Sequence, residues 1–84
     1  MLGLILNNMS YGYSSRLIKL NKQADKKHIG VMLGRKCIEA DVSVSDIASR
    51  LGVSRMTVYN WFAGLHTPRA DAEAAIAYLI KTLK

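Results

Sequence analysis

Residues 43–68, Ser-Val-Ser-Asp-Ile-Ala-Ser-Arg-Leu-Gly-Val-Ser-Arg-Met-Thr-Val-Tyr-Asn-Trp-Phe-Ala-Gly-Leu-His-Thr-Pro, constrain the chain more than any other stretch, because they spell two short helices joined by a tight turn. The first helix starts after Ser43, whose hydroxyl can accept from a free backbone N–H of the first turn. Asp46, three residues on, is placed to reach back and complete a capping box. Ile47, Ala48 and Leu51 share one face at helical spacing, and Ala48 is small where a second helix has to cross closely. Gly52 supplies the left-handed backbone that ends this helix and turns the chain. Ser54 then caps a second helix, Arg55 to Ala63, whose inner face is formed by Val58 and Trp61. Its outer face is left with Arg55, Met56, Tyr59 and Asn60. Adjacent aromatics on a helix are not expected to face one core together. Trp61 therefore goes inside, and Phe62 falls at the edge, either exposed against a second subunit or partly buried.

This pattern resembles the helix-turn-helix of the Cro and phage-repressor class, with Ala48, Gly52, Val58, Trp61, Gly64 and Pro68 in matching positions. The helical segments along the chain predict an all-α fold with four main helices, four to five in all, and a basic N-terminal arm, and the resemblance implies that this is a compact lambda-repressor-like DNA-binding domain. It also implies that the outward residues of the second helix meet bases. At two positions the chain departs from that class. Phe62 stands where a charged residue is frequent, and Val44 stands where many members carry a glutamine that braces the recognition helix or bonds a phosphate.

The outward side chains suit that role chemically. Arg55, near the helix start, can donate its planar fork to guanine O6 and N7; Asn60 can pair donor and acceptor with adenine; Met56 can lie against a thymine methyl. Tyr59 can bond a phosphate or stack on a sugar edge. Phosphate anchoring is expected from the helix starts at Ser43 and Ser54, from His66 and Arg69 in the following loop, and from Lys26 and Lys27.

Size and charge agree with that reading. With 84 residues there is room for one domain and a modest core, and none for a cleft between lobes. Twelve Lys and Arg against six Asp and Glu favour a partner of negative charge, nucleic acid or an acidic membrane surface. Arg16, Lys19, Lys22, Lys26, Lys27, Arg35 and Lys36 crowd into 21 residues opposed only by Asp25, a run that can track phosphates. The single Cys37 lies on an apolar helical stretch and reads as a small hydrophobe of a reducing cytoplasm. His28 and His66 have no ligand partner at metal spacing, and no Ser, His and Asp set can be assembled, so no enzyme activity, metal or cofactor is expected. The apolar Met1 to Leu6 is far too short to span a bilayer and has no basic region before it, so neither an export signal nor a membrane helix is expected; Met9 is an alternative start.

The chain divides into an extension and basic arm, residues 1–24, and a helix-turn-helix domain, residues 25–84, with the motif itself at 43–63. Residues 10–15 are turn formers expected to be loop or extended, and the segment from Ser15 through Gln23 fits either a strand or a helix start. A first domain helix is expected over Asp25 to Ala40, with Ile29, Leu33 and Cys37 as its stripe and Met32 and Ile38 flanking it. Gly30 and Gly34 weaken it locally and allow close helix approach. Thr67 and Pro68 open a last helix, with Ala72, Ile76, Leu79, Ile80 and Leu83 as its buried stripe.

The function that follows is sequence-specific binding of double-stranded DNA by a small cytoplasmic transcriptional regulator, a homodimeric repressor on a palindromic operator, of phage type on the resemblance alone. No membrane or small-molecule partner is expected. Two alternatives stand beside it. One is a protein-interaction module that binds polymerase or another protein through Met56, Tyr59 and Phe62; the other is the DNA-tethering component of a recombination or packaging complex.

Overall fold

The computed structural model describes residues 13–83, and the expectations for Met1 to Leu6 and for Met9 lie outside them. Among these described residues five helices follow one another: α1 (Ser15–Gln23), α2 (Ile29–Ala40), α3 (Val44–Leu51), α4 (Arg55–Ala63) and α5 (Ala70–Thr82). No strand occurs among the described residues. The ambiguous basic segment is therefore a helix. Ser14 Oγ caps it by accepting from the Leu17 N–H at 3.1 Å, and Leu17 and Asn21, one turn apart, form its buried side.

Helix α2 begins at Ile29 rather than Asp25, because Asp25 closes a turn ahead of it. Its Oδ1 accepts from the Lys27 N–H at 2.9 Å and its carbonyl from the His28 N–H at 3.1 Å. Leu33 and Cys37 of the expected stripe are buried and Ile29 is half-buried, while Met32 turns outward and Val31 goes inside in its place. Ser43 caps α3 as expected, accepting from the Asp46 N–H at 3.0 Å, but the Asp46 carboxylate does not complete the box. It faces Arg50, one turn on, at 3.1 Å. Gly52 and Gly64 end α3 and α4 in the left-handed conformation, at φ 69° and 79°. Helix α5 starts at Ala70, not at Thr67. The extended backbone of Arg69 holds the N-cap position, and Pro68 is buried in the preceding loop instead of entering the first turn. The stripe of α5 is as expected: Ile76 and Leu79 are buried, and Ala72, Ile80 and Leu83 pack against the core.

The core centres on α4, which packs against α1, α2 and α3. A helix covered on several sides can bury adjacent aromatics, and this one does. Trp61 is 5% exposed and Phe62 0%, which corrects the edge position expected for Phe62. Trp61 lies over Gly30, where an added Cβ would stand 2.8 Å from the Trp61 Cβ, and Phe62 lies over Gly34, where it would stand 2.7 Å from the Phe62 Cγ. The two glycines of α2 are thus the slots into which α4 settles. On the other side, Tyr13 stacks on Phe62 with ring centroids 6.3 Å apart, and its hydroxyl donates to the Val42 carbonyl at 2.6 Å.

One buried polar side chain binds these layers together. Asn21 Nδ2 donates to the Phe62 carbonyl at 2.8 Å and the Val31 carbonyl at 3.1 Å, and the Arg35 guanidinium donates to the Asn21 carbonyl at 3.0 Å. The Phe62 carbonyl is one of the last of α4, left without an intrahelical partner, so Asn21 supplies a cap from another helix. Residues 13–23, grouped with the arm on sequence grounds, are therefore part of the packed body.

Candidate nucleic-acid interface

Helix α4 is oriented by what it buries. Val58, Trp61 and Phe62 are held inside, so Arg55 and Met56 in its first turn stand in solvent, Met56 at 66% exposure, and Tyr59 is half-buried one turn further. These three side chains line one side of an open groove of about 410 Å³. Ser43, Val44 and Ser45 at the start of α3 form the second side, and Ser14 and Leu17 at the start of α1 the third. Val44 is half-buried and packs against the core, a role for the valine at the position where a glutamine brace was missing.

The starts of α1 and α4 both lack an acidic residue in the first turn, whereas α3 has Asp46, already paired with Arg50. The positive ends of two helix dipoles therefore remain uncompensated at or beside this groove, alongside the Arg55 guanidinium. A site of that kind attracts anions. Its serines are engaged as caps: Ser54 Oγ accepts from the Thr57 N–H at 3.1 Å, as Ser43 does from Asp46. What they can offer a phosphate is the neighbouring backbone N–H groups, more than their own hydroxyls.

The other residues singled out in the sequence lie elsewhere. Asn60 is half-buried toward the end of α4, and its carbonyl accepts from the Leu65 and His66 N–H groups at 2.9 and 3.3 Å. His66 and Arg69 are exposed in the α4–α5 loop, at the opposite end of the helix from Arg55, and Arg69 makes only a loose 3.9 Å contact with Asp71. Lys26 and Lys27 are exposed in the α1–α2 turn, and Lys26 lines a different groove that shares no residue with the first. Arg55, Met56, Tyr59 and Ser43 are thus brought together, with Ser54 beside them at the α4 cap. The contribution of Ser14 and Leu17 was not legible in the sequence, because it depends on α1 folding back across a separation of some forty residues.

Among the described residues, the two strongly shifted titratable groups sit in the core. Burial pushes the Cys37 thiol up to about 12 and raises the Tyr13 phenol as well. Cys37 is fully buried, which makes it an unreactive packing residue. Among the described residues no cluster of His, Cys, Asp and Glu is arranged to hold a metal ion, and no helix is long and apolar enough to cross a membrane.

No curated protein and no solved structure matches the chain. A family model does: that of the homeodomain-like domain matches residues 31–79, running from α2 through the turn and α4 into α5. The matched region covers more than half of the chain and contains both helices of the motif. This is a helix-turn-helix DNA-binding domain, and the chain belongs to the homeodomain-like family.

Proposed function

We propose that this protein reads double-stranded DNA in a sequence-specific way, with α4 in the major groove, and acts as a small transcriptional regulator. The observation that carries this reading is the presentation of Arg55 and Met56. A fully buried inner face fixes α4 while its first turn stays in solvent beside uncompensated helix N-termini. Arg55 reads guanine, Met56 contacts a thymine methyl, and Tyr59 and Asn60 extend the contact along the helix. Helix α4 has nine residues and so spans roughly 13 Å, close to the width of the major groove. Phosphate contacts from the helix starts at Ser43 and Ser54 and from His66 and Arg69 then flank it at both ends, with Lys27 further along the surface.

The regulator acts most simply as a homodimeric repressor of the Cro and phage-repressor kind, occupying a palindromic operator and excluding polymerase. The outward face of α5, with Tyr78 67% exposed, offers a surface for pairing. Selection of bound sequences from random duplex DNA tests the proposal. An enriched motif with two-fold symmetry and half-sites about one helical turn apart is the expected result. An enriched motif without symmetry removes the homodimer, and no enrichment at all removes sequence-specific recognition.

A further inference from the structure

On α2, Gly30 and Gly34 face α4, and Met32 and Lys36 project from the opposite side of the same helix. A duplex seated on α4 meets the other face of the body. This back face is not smooth. A groove of about 320 Å³ runs between α2 and α5, floored by Met32 and Ile80 and edged by Lys26 and Lys36. A smaller one of about 110 Å³ continues it toward α1, with Ile18 and Ile38 on its floor and Lys22 at its edge. Arg35 and Glu39 line both.

The charge of this strip is one-sided. Arg35 is occupied at the end of α1, where its guanidinium bonds Asn21. The three lysines make no ion pair with any described acid, and Glu39 is the strip's only anion. A second copy docking here by a two-fold axis would bring together two strips of the same net positive charge, which disfavours self-association through this face. An apolar floor half open to solvent with unpaired cations along its edges complements a segment of opposite pattern, apolar on one side and carboxylate-rich on the other.

We infer that the α1–α2–α5 face is a docking surface for an acidic amphipathic segment of a partner protein, engaged while α4 remains free for DNA. The partner's apolar side chains cover Met32 and Ile80, and its carboxylates meet Lys22, Lys26 and Lys36. In a regulator this places recognition of DNA and of a second protein on opposite sides of one small body.

The test uses the full chain and a short synthetic helical peptide with leucines on one face and glutamates on the other. Two controls accompany it, one peptide with lysines replacing the glutamates and one oligoglutamate without leucines. Amide chemical-shift mapping should confine the response to α1, α2, α5 and the α1–α2 turn. Lys36→Glu and Met32→Ser should each weaken the peptide by about tenfold, the effect of losing one good contact, while both melt like the parent and the uncharged exchange Met32→Ser keeps its DNA affinity. Neither control peptide should bind comparably. Equal binding of oligoglutamate reduces the strip to a nonspecific cationic surface and overturns the inference. Shifts on α4 instead of α2, or a response of this strip to duplex DNA, overturn it as well, the latter by making the face a second nucleic-acid contact. DNA binding is read separately, so failure of the docking surface and failure of the DNA-binding proposal are distinguishable.

Discussion

Asn21 shows how much a single side chain can hold in a domain this small. Its amide satisfies carbonyls on α2 and α4 from a position 1% exposed. Asn21→Ala strips both acceptors of their partner in a site closed to water, and each buried group left unsatisfied costs about 1–3 kcal/mol. Denaturant unfolding should show a loss in that range or above it, and a loss below about 0.5 kcal/mol would mean that water replaces the amide. Cys37 gives a pH dependence. Its folded thiol titrates near 12, above the unfolded value of about 8.5, so the folded state holds its proton longer. The stabilisation is complete below the unfolded value and is lost as pH rises toward the folded one; Tyr13, also raised, acts in the same direction at higher pH. Thermal midpoints should therefore fall steadily above about pH 9, and Cys37→Ala should flatten the first part of that fall. A parent midpoint constant up to pH 11 contradicts the burial argument.

At the scale of elements, the two motif helices were legible almost to the residue. Their signals are local: serine caps, turn glycines and an apolar spacing of three and four. What was not legible came from distant contacts. One helix taken alone has one inner face, which puts Phe62 at its edge, and only the approach of α1 and α2 from two directions gives it a second. The start of α2 shifted because the Asp25 side chain competes for the backbone N–H groups that a helix start would otherwise use. Gly30 and Gly34 read as weak points in a helix, yet they are where α4 comes closest. Gly34→Ala gains about 1 kcal/mol of intrinsic helix propensity and loses more, because its Cβ would meet the Phe62 ring at 2.7 Å and overpacking costs about 1–3 kcal/mol. A net loss of stability is expected in chemical denaturation, and a gain would show that α2 and α4 can separate at little cost.

For the whole molecule, the basic N-terminal region has two roles that the sequence could not separate. Tyr13, Leu17 and Asn21 belong to the core, while Arg16 and Lys19 on the same helix are exposed. Removing residues 1–24 should therefore abolish the cooperative melting transition, where a detachable arm would leave it unchanged. Replacing Arg16 and Lys19 by glutamine preserves the core and tests the electrostatic role alone. The slope of log affinity against log salt should fall by about 0.9 for each cation that touches a phosphate, with the preferred sequence unaltered. An unchanged slope assigns both side chains to solvent. The central claim, that the first turn of α4 reads bases, is tested most directly by comparing sequences selected from random duplex DNA by the parent and by Arg55→Ala. The variant removes an exposed side chain and should melt like the parent, lose roughly 1–3 kcal/mol for the parent's site and relax the preference at a single base pair of each half-site. A folded variant that selects the same motif with the same preference at every position would contradict the claim.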